Sequence, residues 1–179
     1  MPATTHSPKP YDGPSREEVL AMRREFLAPS LLTYYRDPVM IVEGSMQWLF
    51  DETGRRYLDF FGGIVTVSVG HCHPRVVEKV REQVERLQHT TTIYLHPTIA
   101  EFGRKLASTM PANSGLEVCY FTSSGSEANE LAMLMSRLYT GNFDLIALRN
   151  GYHGMTNQAM GLTGLHTWKQ PLLHGIGVH

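Results

Sequence analysis

The sequence is short of nearly everything that would direct it to nucleic acid, a membrane or an oxidising compartment. Sixteen lysines and arginines stand against seventeen aspartates and glutamates, a formal net charge of −1. No excess of either sign draws the chain to a polyanion or an anionic lipid surface. No apolar run approaches the roughly 20 residues that cross a bilayer, so neither nucleic acid nor membrane is expected as a partner. Cysteine is scarce: Cys72 and Cys119 are far apart, in apolar or glycine-rich surroundings. They read as two reduced, partly buried thiols and not as a disulfide framework. Residues Met1 to Pro10 hold neither an apolar core nor an arginine, which fits neither a secretory signal nor a transit peptide. Residues 1–14 are expected to be a flexible polar lead-in. Nucleotide-binding signatures of the Gly-x-x-x-x-Gly-Lys and Gly-x-Gly-x-x-Gly types are absent, and so is any internal repeat.

What is present is an ordinary globular composition, 42% hydrophobic and 18% charged, arranged in legible pieces. Ser15-Arg-Glu-Glu18 is a capping box, followed by Val19, Met22 and Phe26 at helical spacing. Val39–Val42, Met46–Phe50 and Tyr57–Phe60 read as a three-stranded meander, with turns at Gly44-Ser45 and Glu52-Thr-Gly54. Pro74 and Pro97 suit the first position of two helices. The first carries Val76, Val77, Val80, Val84 and Leu87 on one face, the second Ile99, Phe102, Leu106 and Met110. From Gly115 the pattern becomes strand (Val118–Phe121), helix, strand (Asp144–Arg149) and loop, an α/β layer with a parallel sheet. Only two strands of that sheet can be found, too few to cover a parallel sheet. The sequence therefore reads as the front part of a larger protein. Residues 15–70 form an N-terminal helix and small meander, and 71–179 the first part of a large domain.

The candidate site sits at the ends of the two expected parallel strands. Ser123, Ser124, Gly125 and Ser126 lead from a strand into a helix, where unpaired N–H groups, hydroxyls and the positive helix end converge on an anion. After the next strand, Gly151-Tyr-His-Gly154 presents Tyr152 on a glycine-flanked loop, suited to stacking on a heteroaromatic ring. His153 either contacts substrate or braces the loop. Tyr34 and Tyr35 are either core residues or face a site. His71-Cys72-His73 is read as a loop entering the helix at Pro74, because consecutive ligands converge poorly on one ion; no metal is expected.

Four ordered motifs carry a family resemblance: Trp48-Leu-Phe-Asp-Glu-Thr-Gly-Arg-Arg-Tyr-Leu-Asp59, Gly70-His-Cys-His-Pro74, Ser124-Gly-Ser-Glu-Ala-Asn-Glu130 and Gly151-Tyr-His-Gly154. Together they resemble the class III pyridoxal-phosphate-dependent aminotransferases. The runs Gly63–Gly70 and Leu131–Met135 make the chain most similar to the mitochondrial alanine–glyoxylate aminotransferase (type 2) subgroup. The resemblance spans about Tyr11 to Gly164. It implies a fold-type-I transferase that is a homodimer when full length, taking amino acid and 2-oxo acid substrates, with a mitochondrial address. By that resemblance Ser124, Gly125 and Ser126 hold the phosphate of pyridoxal 5′-phosphate, Tyr152 stacks on its ring, His153 borders the pocket, and Tyr34 contacts substrate. Met155 stands where ornithine-type relatives carry an arginine, which agrees with alanine as amino donor.

Transamination also needs a Schiff-base lysine and an acid facing the pyridinium nitrogen, and the resemblance places both beyond His179. No catalytic residue is assigned within the chain. Lys169, in Thr167-Trp-Lys-Gln-Pro171, does not match the family's lysine context. The 179-residue chain is accordingly expected to be a fragment without turnover of its own. The alternatives are a short form that pairs with full-length protomers, or another class III activity such as an ω-transaminase or aminomutase.

Overall fold

The computed structural model describes residues 5–169. Residues 1–4 of the lead-in and 170–179 at the end of the large-domain segment lie outside the described residues. Contacts gather into two units, Met1–Tyr94 and Leu95–His179.

In the first unit, α1 (Arg16–Phe26) begins at Ser15, whose hydroxyl accepts from Glu18 N while Glu18 reaches back to Ser15 N at 2.7 Å. This reciprocal pairing satisfies two donors that a helix start leaves open. The meander is an antiparallel sheet in the order β1 (Ile41–Ser45), β2 (Trp48–Asp51), β3 (Arg56–Leu58). The expected turn at Gly44-Ser45 is corrected: both residues pair within β1, and the reversal falls at Met46, which adopts φ +51°. The cause is a bridge outside the meander. Met46 and His71 exchange both backbone hydrogen bonds at 2.7 Å, which pins Met46 as the turning residue. The second turn forms where expected. Asp51 Oδ1 accepts from Thr53 N and Arg55 N, each at 3.0 Å, and Tyr57 donates to Oδ2. Phe50 and Asp51 are the buried residues of this sheet.

Beyond β3, α2 (Gly62–Val65) is a single turn whose dihedrals are left-handed even at Ile64 and Val65, φ +60° and +64°. Such dihedrals are costly for β-branched residues. Asp59 holds the turn: its Oδ1 accepts from Phe61 N and Gly62 N, and its Oδ2 pairs with His71 Nε2 at 2.7 Å. α3 (Pro74–Arg86) follows, with proline at its start. The lead-in is fastened to β1, as Lys9 N donates to Glu43 at 2.9 Å and His6 pairs with the same carboxylate.

The second unit contains α4 (Pro97–Ala107), α5 (Gly125–Thr140) and α6 (Asn157–Leu162). Among the described residues its buried ones are Met133 on α5, Gly154 before α6, Ala159 and Met160 on α6, and Thr163 just beyond it. The two expected parallel strands are corrected: 118–121 and 144–149 carry no strand pairing among the described residues. Val118 and Ile146 are almost wholly exposed. Parallel pairing is slightly weaker per residue than antiparallel and is found where both sheet faces are covered. Two such segments by themselves supply neither condition.

Candidate functional site

The expected anion site lies at a helix start that forms as the residue types require. Ser124 is the N-cap of α5, extended at φ −151°, and its hydroxyl accepts from Glu127 N at 3.2 Å. That settles one of the open N–H groups of the first turn. No hydrogen bond among the described residues takes up the N–H of Gly125 or Ser126. A Cβ added at Gly125 would meet nothing within 4 Å, so the approach to these donors is clear. Glu127, in the same turn, directs its carboxylate back to Ser123 N at 2.7 Å.

The aromatic loop is brought to this helix end by hydrogen bonds that spacing alone does not reveal. Ser126 Oγ accepts from Met155 N at 3.1 Å, and Asn129 Nδ2 donates to His153 O at 2.7 Å. One turn on, Glu130 Oε1 accepts from Gln158 N at 2.9 Å at the start of α6. Ser126, Asn129 and Glu130 fall on one face of α5, as separations of three and four require. Gly154 makes the close approach feasible. Its φ is +128°, and a Cβ there would stand 2.9 Å from Ser126 Cα, so a side chain is excluded on both counts. From the other side, Thr163 Oγ1 accepts from His153 N at 3.0 Å and Gly164 N donates to Gly151 O at 2.9 Å.

Ser124, Gly125, Ser126, Tyr152 and His153 are thus brought together on one helix end and one loop. Tyr152 is 52% exposed, and its ring meets Trp168 in a T-shaped contact at 6.0 Å. His153 Nε2 is buried without a hydrogen-bond partner. Tyr34 belongs to the first unit and is 80% exposed, as is most of Tyr35. His71 is taken up by Asp59, and among the described residues no group of three or more His, Cys, Asp and Glu has the geometry of a metal site. Lys169 Nζ donates to Gly161 O at 3.2 Å.

Asn129, Glu130, Thr163 and Trp168 were not singled out from the sequence. The spacing of Ser126, Asn129 and Glu130 on an N-terminal helix turn was available as a signal; a lone threonine or tryptophan offers none.

The residues present fit a phosphorylated aromatic cofactor. Two first-turn N–H groups are open, Gly125 leaves space before them, and the adjoining loop holds a half-exposed tyrosine ring and an unpartnered buried imidazole nitrogen.

Comparison with known proteins points the same way. The profile of the aminotransferase class-III family matches residues 33–176. Alanine–glyoxylate aminotransferase 2 homolog 2, mitochondrial, from Arabidopsis thaliana is 54% identical over 169 residues, 94% of this chain and 35% of the relative. The mitochondrial alanine–glyoxylate aminotransferase 2 of Homo sapiens is 45% identical over 177 residues, 99% of this chain and 34% of its own. The chain spans about a third of the length of these relatives. Among solved structures, an (S)-enantioselective omega-transaminase from Thermomicrobium roseum superposes with a TM-score of 0.78 at 30% identity. The superposition covers 93% of this chain and 40% of that one. The arrangement is the corresponding part of a fold-type-I transaminase.

Proposed function

We infer the function from one premise: the chain belongs to the class-III aminotransferase family. That family depends on pyridoxal phosphate, and membership supports transaminase chemistry as the proposal for the whole protein. Our proposal is that this chain supplies the phosphate-holding and ring-stacking half of an aminotransferase site. The proposed reaction moves an amino group from alanine, or a related donor, to glyoxylate. The observation that carries the reading is the double tie from Ser126 and Asn129 to the backbone of Met155 and His153. It sets an aromatic ring beside an anion cradle.

Pyridoxal phosphate supplies an electron sink for charge developing at the amino-bearing carbon. The residues of this chain have humbler tasks. Gly125 N, Ser126 N and the serine hydroxyls bind the phosphate with the help of the helix dipole. Tyr152 restrains the ring by stacking, and His153, with Nε2 free, offers one hydrogen bond at its border. Tyr34 is proposed as a substrate contact. Residues 15–70 are proposed as an N-terminal helix and small meander segment and 71–179 as the first part of the large, cofactor-binding domain. A homodimer is proposed for the full-length form, and a mitochondrial address is proposed in line with the names of the relatives. No described residue is assigned the role of covalent anchor, since the ammonium of Lys169 is tied to Gly161 O. The 179-residue chain is therefore proposed to hold cofactor without turning over substrate.

Titration of the chain with pyridoxal 5′-phosphate tests this. Saturable binding that inorganic phosphate displaces is expected, and Tyr152→Ala should weaken it by about tenfold, the scale of one aromatic contact. Absence of saturable binding sinks the cofactor reading. Alanine- and glyoxylate-dependent turnover by the same chain sinks the claim of inactivity.

A further inference from the structure

Thr163 is the most completely enclosed polar residue near the site: its relative exposure is 0%. Burial of a hydroxyl is costly unless its hydrogen bonds are made. Here they are made to the aromatic loop and to the helix before it. The oxygen accepts from His153 N at 3.0 Å, and the hydroxyl donates to Ala159 O at 3.1 Å, with Gly154 O at the limit of reach, 3.5 Å. The backbone of Thr163 closes α6 by donating to Ala159 O and Met160 O. The next residue, Gly164, donates to Gly151 O at 2.9 Å. A Cβ at Gly164 would run into the carbonyl of Arg149, so the chain after Thr163 lies directly on the loop's entry.

The loop is thereby held by two separate segments, α5 and the residue after α6. Ser126 and Asn129 bind Met155 N and His153 O on the α5 side, and Thr163 binds His153 N on the other. His153 has both of its peptide groups fixed, and Tyr152, one residue earlier, hangs from that fixed point. Without the Thr163 hydroxyl the part-buried His153 N–H loses the acceptor it has among the described residues. The peptide between Tyr152 and His153 would then rotate to find one, and the tyrosine ring would leave its plane.

We propose that Thr163 is a positioning residue for the cofactor. By accepting the His153 N–H from a fully buried site, it sets the orientation in which Tyr152 stacks over the ring. The assignment rests on the cofactor reading given above. Thr163 touches no reacting atom and acts through the loop alone.

The test uses the full chain with three substitutions. Thr163→Val keeps shape and removes the acceptor, Thr163→Ser keeps the hydroxyl and loses a methyl, and Thr163→Ala resembles serine in size without a hydroxyl. Three readouts are taken: the affinity for pyridoxal 5′-phosphate, its induced circular dichroism when bound, and amide exchange at His153 by NMR. Thr163→Val should bind the cofactor about ten- to a hundredfold more weakly, the scale of one buried hydrogen bond lost. It should also lose or invert the induced dichroism and exchange its His153 amide faster, with α5 amides unchanged. Thr163→Ser should stay within about threefold of the parent, because the hydroxyl that ranks as a net hydrogen bond is retained. A merely structural role would lower stability without changing the sign or size of the dichroism per bound cofactor. If Thr163→Val loses its helical signal, the serine and alanine variants give the same comparison at matched volume. Equal affinity and dichroism with and without the hydroxyl overturn the assignment while leaving the cofactor reading intact. No binding by the unsubstituted chain overturns the cofactor reading and the assignment with it.

Discussion

Helices α3 and α5 announce themselves in the same way and end in different circumstances. Both carry an apolar stripe at helical spacing behind a well-formed start. On α3 the stripe stays open, with Val76 50%, Val80 57% and Val84 48% exposed. The apolar stripe of α5 is as open, with Met135 56%, Leu138 76% and Tyr139 93% exposed. What is engaged is a second, mixed face, where Met133 is buried at 5%. Beside it are Ser126, Asn129 and Glu130, which bond to the aromatic loop and α6, and Arg137, whose Nε donates to Phe143 O. The difference lies in what the faces are made of. The face of α3 is all valine, and burial of valine is favourable against any apolar surface, since the hydrophobic effect has no direction. The engaged face of α5 mixes methionine with hydroxyl, amide and carboxylate, and each of these polar groups accepts or donates along a fixed line. An apolar stripe states that a face is to be covered; a polar one also states by what. The candidate site grew on the second kind.

The largest effect expected from breaking this contrast is at Met133. Truncation by Met133→Ala should cost about 2–5 kcal/mol, because the transfer energy is lost and a cavity is left where α6 packs. Urea unfolding monitored by far-UV circular dichroism reads it, and a loss below 1 kcal/mol would mean that the α5–α6 contact is not the core of its unit. Gly164→Ala comes next, at about 1–3 kcal/mol, since the new methyl displaces either the Arg149 carbonyl or the hydrogen bond from Gly164 N to Gly151 O. The same unfolding curve checks it, with faster amide exchange at residues 151–154 as the local signature.

These two residues also mark how far sequence reasoning reaches. Helix starts were legible because they depend on a few adjacent residues: the Ser15 capping box, Pro74 and Pro97 at first positions, and Ser124 before α5 all stand where their chemistry places them. The helix start on which the proposed cradle sits was legible for the same reason. The turn of the meander was misplaced by two residues, because a bridge from Met46 to His71, distant in sequence, selected it. Strands 118–121 and 144–149 were misread because a strand is a property of pairs, and alternation of apolar residues does not say whether a partner is at hand. Helix α6, six residues long, is too short to show a period. Thr163 was invisible: one threonine capping a short helix has no pattern, and only its burial and the three hydrogen bonds of its hydroxyl distinguish it.

The first unit offers its own directional tie, and it is open to pH. Asp59 is held below the usual carboxylate range, first by the hydrogen bond from His71, then by the backbone N–H groups of Gly62 and Phe61. A depressed carboxyl favours the folded state above the unfolded value, near 3.9 for aspartate, and that contribution is lost as pH falls through the lower folded value. Asp59→Asn should therefore lower stability at pH 7 and flatten the acid limb of the stability curve below about pH 4. An acid limb as steep in the variant as in the parent would assign acid sensitivity elsewhere, with Asp51 the next candidate, since the hydrogen bonds it accepts from Tyr57, Thr53 and Arg55 together lower its carboxyl in spite of burial. The α2 turn is the part expected to loosen, because Asp59 Oδ1 holds the N–H groups of Phe61 and Gly62 at its entry, while Thr66 and Ser68 hold only its carbonyls.

The smallest expected effect is on α3, and it sharpens the comparison most. Val80 is 57% exposed, so Val80→Thr exchanges a methyl for a hydroxyl that water already reaches. A surface substitution of this kind stays within about 0.5 kcal/mol, whereas the same exchange in a packed core costs on the order of 1–3 kcal/mol for an unpaired hydroxyl. Measured by urea midpoint across a hundredfold range of chain concentration, a near-zero effect at every concentration keeps the α3 stripe uncovered in solution. A cost that grows with concentration would show the stripe covered by another copy. Lacking direction, the valines would then have accepted whatever apolar surface was nearest, while α5 holds to the partner its polar groups select.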